Sequence, residues 1–123
     1  MDGGFEFPLY VCLDDGTVIR IETSDRILYH LEAIDIENDE YLFWDAMARP
    51  LKVVIAKGKV TGLEGTENKI TLTQALERYA EQLGVSIDVS DKSEKVWVSL
   101  RKAEESRQRR PGLFSRLLRA RKT

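Results

Sequence analysis

ITLTQALERYAEQLGVSIDVSDKSEKVWVSL, Ile70 to Leu100, decides the fold, because its first half specifies a helix and its second half is open to two readings. Thr71 and Gln74 have the spacing of a capping box. Leu72, Leu76, Tyr79 and Leu83 fall on one helical face, and Gly84 supplies a left-handed stop. The spacing predicts a helix over 71–84. After it, Val85, Ile87 and Val89 alternate with Ser86 and Asp88 as a half-buried strand would. Lys95 to Leu100 then reads as a return strand beyond a polar turn. A helix over about 91–109 competes with that second strand, and Val96-Trp97-Val98 tips the local balance toward the strand.

Working back toward the N-terminus, Phe5 to Leu13 is aromatic and β-branched enough for a strand, with Pro8 suggesting an edge or a bulge. Asp14-Asp15-Gly16 is hairpin turn chemistry, and Thr17 to Ile21 is the returning strand. Thr23-Ser24-Asp25 can cap free N–H groups, and Ile27, Leu28, Leu31 and Ile34 recur at helical spacing, which predicts a helix over about 24–34. Tyr41 to Trp44, Leu51 to Ile55 and Val60 to Leu63 read as three antiparallel strands, separated by the turn Asp45 to Pro50 and by glycines. The expected fold class is α+β, a mainly antiparallel sheet with two helices packed on one face, plus a basic amphipathic C-terminal tail. The expected domain covers residues 1–101 and the tail residues 102–123.

Charge is unevenly shared along the chain. Residues 1–91 carry 18 acidic and 8 basic side chains, a net of −10, whereas residues 92–123 carry 3 acidic and 11 basic ones, a net of +8. Such polarity points to a basic arm that meets something negative. Within the arm, Pro111-Gly112 breaks the chain, and a helix could restart there with Pro in its first turn. At about 100° per residue, Leu113, Phe114, Leu117 and Leu118 then share an arc of roughly 140°. Arg116, Arg119 and Lys122 lie opposite, while Arg121 falls within the apolar arc and reaches outward by its length. Ordering each residue costs about 1–1.5 kcal/mol, so one copy of this arm is expected to bind weakly and reversibly. Expected partners are a protein or a second copy, then an anionic membrane surface, then nucleic acid.

Motifs for chemistry are sparse. His30 is the sole histidine and Cys12 the sole cysteine, so zinc spacings and intrachain disulfides are excluded. Cys12 reads as a small buried hydrophobe, and His30 as a structural residue at the border of an apolar face. Asp35, Glu37, Asp39 and Glu40 begin like a calcium loop, but Glu40 stands where the turning glycine belongs and Ala46 where the bidentate glutamate belongs. These carboxylates, with Asp45, form instead an acidic patch suited to a positive partner. Gly58, Gly62 and Gly65 match no phosphate-binding spacing. Trp44 and Trp97 sit in apolar runs that suggest core packing. With 42% hydrophobic and 33% charged residues and no long apolar run, the chain is expected to be soluble and cytoplasmic. The acidic N-terminus lacks the marks of a secretory signal. The expected role is a small intracellular interaction module without catalytic activity or cofactor, in which the basic arm mediates association. The alternative is an acidic inhibitor or immunity-type protein that covers a basic target site.

Overall fold

The computed structural model describes residues 4–109, the side chains of 107–109 excepted. A five-stranded antiparallel sheet organises it, with strands β1 (Leu9–Cys12), β2 (Val18–Ile21), β3 (Leu42–Trp44), β4 (Pro50–Ala56) and β5 (Lys59–Gly65) in the order β2-β1-β3-β4-β5. β1 and β2 form the expected hairpin. Leu13 and Thr17 close its loop, where the Leu13 N–H donates to the Thr17 carbonyl at 2.9 Å and the Thr17 N–H donates to the Asp15 carboxylate at 2.9 Å. β4 and β5 meet through Lys57-Gly58, both at positive φ as a primed two-residue turn requires. Pro8 does not mark an edge. β1 starts after it and lies between β2 and β3, so the missing N–H falls outside the ladder.

Alternation along the strands builds two cores. Leu9 and Val11 of β1, Phe43 of β3 and Leu51 and Val53 of β4 line one face. Tyr10, Val18 and Trp44 line the other. Over the first face lie α1 (Ile27–His30) and α2 (Ala33–Glu37), which bury Ile27 and Ile36, with Leu31 buried between them. The single helix expected over 24–34 is instead a 3₁₀ turn at Ser24–Arg26 followed by these two short helices, with Leu31 extended at φ −128°, ψ 146°. In an unbroken helix Ile36 would point roughly 140° away from Leu31, so the break lets both enter one core. The expected side-chain cap is absent as well, since the Thr23 hydroxyl donates to Asp25.

Two long helices cover the second face: α3 (Leu72–Leu83) and α4 (Ser93–Arg109). The capping box of α3 is complete. The Gln74 N–H donates to the Thr71 hydroxyl at 3.1 Å, the Thr71 N–H donates to the Gln74 side-chain oxygen at 2.9 Å, and Gly84 closes the helix at φ 69°. The pair of helices on one face is thus α3 with α4, whereas the 24–37 segment packs on the opposite face.

The strands expected at 85–89 and 95–100 are not formed. Val85 and Val89 are exposed, and Asp88 accepts from the Ser90 N–H at 3.0 Å in a polar turn that leads into α4. The helical reading of 91–109 holds because Val96 and Leu100, one turn apart, are buried against α3. The β preference of Val96-Trp97-Val98 is worth only tenths of a kcal/mol per residue in a helix, far less than burial of Leu100 returns. Trp97 fixes the helix by donating its indole N–H to the Val18 carbonyl at 2.8 Å, with the Arg20 guanidinium 4.6 Å from its ring centre. α4 runs on through residue 101 to Arg109. The arm residues Leu113, Phe114, Arg116, Leu117, Leu118, Arg119, Arg121 and Lys122 lie outside the described residues.

Candidate interaction surface

The five carboxylates of the acidic patch have different environments. Glu37, Asp39 and Glu40 are exposed at the end of α2, and Asp35 is half-buried beside them. The chain curls there, with the Glu40 N–H donating to the Asp35 carbonyl at 3.1 Å. The Tyr41 hydroxyl donates to the Asp35 carboxylate at 3.0 Å. Hydrogen bonding to Asp35 and repulsion from it hold the Glu40 carboxyl above its ordinary value. Burial first, then Asp35, push the Tyr41 hydroxyl up to about 12.

Asp45 belongs elsewhere. It is fully buried in the β3–β4 turn, where Arg49 and three backbone N–H groups donate to it. Burial alone would raise its pKa, but these donors outweigh that cost and keep it below the ordinary carboxylate range. Its role is to hold the turn.

Beside the four carboxylates in and just after α2 is a cleft of about 670 Å³ between Tyr41-Leu42 and β4. Its origin is a mismatch in strand length. β4 has seven residues, but β3 has three and pairs with it only through Phe43–Leu51 and Trp44–Pro50. Lys52–Ala56 therefore has β5 on one side and, among the described residues, no strand on the other. The cleft is lined by Ile36, Phe43 and Val53 from one sheet face and by Leu42, Lys52 and Glu64 from the other, so it lies in the plane of the sheet. The Asn68 side-chain amide donates to the Phe43 carbonyl at 2.8 Å and closes its inner end.

The remaining candidates have structural settings. Cys12 is partly buried, its thiol directed to the Leu13 carbonyl at 3.6 Å, and burial pushes its pKa up, away from thiolate reactivity. His30 is exposed at the end of α1, edge-on to Tyr29 with ring centres 5.1 Å apart. Trp44 is buried, and Trp97 packs against the α3–α4 core. Among the described residues no group of three or more His, Cys, Asp or Glu is placed to hold a metal ion, and no helix is long and apolar enough to cross a membrane.

Sequence reasoning did not identify the cleft. The signal available was one of length, four apolar residues at Tyr41–Trp44 facing a longer run at Pro50–Ala56. Comparison of the chain with protein-family models, with curated proteins and with solved structures finds no match.

Proposed function

We propose that the protein is a cytoplasmic, non-enzymatic interaction module in which an acidic α+β body carries a basic C-terminal arm that mediates association. The observation behind this reading is the division of charge: residues 1–109, α4 included, carry 21 acidic and 14 basic side chains, a net of −7, and residues 110–123 carry five basic and no acidic ones, a net of +5. Leu113, Phe114, Leu117 and Leu118 supply apolar contact, and Arg116, Arg119, Arg121 and Lys122 orient it. A protein partner or a second copy is the favoured target, ahead of anionic lipid and of nucleic acid. The net-negative body repels phosphate-rich surfaces and leaves a single arm weak against them. Replacing Leu117 and Leu118 with Asp is expected to abolish partner recovery in a pull-down and to shift sedimentation if self-association is involved. Unchanged recovery and unchanged sedimentation would refute the role of the arm.

A second reading has its own support in the crowding of Asp35, Glu37, Asp39 and Glu40 at the end of α2. On this reading the acidic surface covers a basic site on a target, as an inhibitor or immunity-type protein does, and the arm is dispensable. Association that survives deletion of residues 110–123 but is lost in a Glu37→Lys, Asp39→Lys, Glu40→Lys variant selects this reading over the first.

A further inference from the structure

The in-plane cleft has the form of a vacant strand position. Hydrogen bonding across an antiparallel pair alternates, and the Asp45 N–H donates to the Arg49 carbonyl at 3.0 Å, so pairs two residues further along, Phe43–Leu51 and then the site opposite Val53, belong to the same bonding set. Val53 thus turns its N–H and C=O toward the cleft. Tyr41, the residue in register with Val53, lies outside β3, and the chain before it is drawn toward α2 by the Asp39 and Glu40 N–H groups, which donate to the Ile36 and Asp35 carbonyls at 3.1 Å each. Five residues, Lys52–Ala56, span about 17 Å of strand, enough for a short extended peptide.

The walls indicate its chemistry. Glu37, Asp39, Glu64 and Glu67 outnumber Lys52 and Lys69, and Asp35 and Glu40 stand just outside. We propose that the cleft binds an extended, cationic peptide segment of a partner protein, which adds as a strand alongside Lys52–Ala56 of β4. Main-chain bonds to Val53 supply affinity. Side chains that alternate above and below the sheet meet Glu37 and Asp39 on one side and Glu64 and Glu67 on the other. This deepens the acidic-surface reading of the body and rests on it, while it is independent of the arm.

The test uses the full chain and a fluorescent seven-residue peptide of alternating Lys and Val, with two controls: the same peptide carrying backbone N-methyl groups, and its Glu-for-Lys counterpart. Binding is read by anisotropy, and the Val53 amide by hydrogen exchange. The Lys peptide is expected to bind and to slow exchange at Val53. N-methylation should weaken it about tenfold or more, since charge is kept and main-chain bonds are lost. The exposed double variant Glu64→Gln, Glu67→Gln should weaken it about threefold with little change in the thermal midpoint. Equal binding of the N-methylated peptide, or exchange at Val53 unaffected by the Lys peptide, overturns strand addition. Tighter peptide binding after deletion of residues 110–123 would make the chain's own arm the occupant, and peptide binding that weakens as the protein concentration rises would make it a second copy. Either result overturns the partner assignment. Partner recovery unchanged in the Glu37→Lys, Asp39→Lys, Glu40→Lys variant, with peptide binding and Val53 protection intact, would instead overturn the acidic-surface reading and leave strand addition standing.

Discussion

Arg49 donates from Nε and Nη2 to the same Asp45 carboxylate oxygen, at 2.8 and 2.6 Å, and Asp45 has no solvent exposure while the Arg49 side chain is about half exposed. The other Asp45 oxygen accepts from the Met47 and Arg49 N–H groups at 3.0 and 2.9 Å, and the Glu6 N–H adds a bond at 3.1 Å. Arg49 also reaches the Gly4 carbonyl at 2.7 Å, so the pair joins the N-terminal segment to the β3–β4 turn.

Asp45→Ala strips three backbone donors and a guanidinium of their acceptor, and is expected to cost about 2–4 kcal/mol by chemical denaturation. Arg49→Ala leaves the three backbone donors in place and removes a half-exposed partner, so about 1 kcal/mol is expected. Equal losses would show that the ion pair, rather than the buried acceptor, holds the turn. Because the folded Asp45 pKa is depressed below its ordinary value of 3.8, its contribution is present above that pH and is lost as pH falls through the folded value.

Gly16 holds φ +89° in the β1–β2 turn, and a Cβ there would lie 2.0 Å from Gln82 Nε2, the atom that donates to the Asp15 carbonyl at 2.9 Å. Gly16→Ala combines backbone strain with loss of this bond between the hairpin and α3, an expected cost of about 1–3 kcal/mol. Gln82→Ala loses the same bond and removes the obstruction, without the backbone strain. The double variant should be less destabilised than the sum of the singles, and strict additivity in urea unfolding would contradict the contact.

These two turns also show what the sequence made legible. Asp14-Asp15-Gly16, the Thr71–Gln74 box and Gly84 act within a few residues, and their elements form where their chemistry places them. Val96-Trp97-Val98 is ambiguous locally, and its helix is settled by contacts with Tyr79 and Val18, residues far away in the chain. The break at Leu31 and the vacancy beside Val53 depend on which strands meet. That register is fixed by β1 pairing with β3, a join that no local pattern announces.

Trp97 tests the assignment of α4. Trp97→Phe keeps most of the packing but leaves the Val18 carbonyl without its 2.8 Å donor, an expected loss of about 1–2 kcal/mol. Leu100→Ala removes a fully buried side chain between α3 and the sheet and should cost about 2–5 kcal/mol. The intervening Val98→Ala is expected to be nearly neutral or slightly stabilising, since Val98 is only half-buried and Ala is the better helix former. If Val98→Ala instead costs as much as Leu100→Ala, the alternating pattern of a strand would be restored.

Alkaline pH should destabilise the fold through its tyrosines. Burial raises the Tyr10, Tyr41 and Tyr79 hydroxyls above 10.0, with Asp35 adding to the rise at Tyr41 and Glu104 at Tyr79. For an acid whose folded pKa lies above its unfolded one, the stabilisation is complete below the unfolded value and is lost as pH climbs through the folded value. For Tyr41 that window runs from about 10 to about 12. The thermal midpoint is therefore expected to fall across this range. Tyr41→Phe should fall less steeply than the unaltered protein, because Phe has no proton to lose. Parallel curves for the two proteins would mean that Tyr41 ionises with equal ease folded and unfolded, which would contradict the bond from its hydroxyl to Asp35 that helps hold residues 40–41 away from β4.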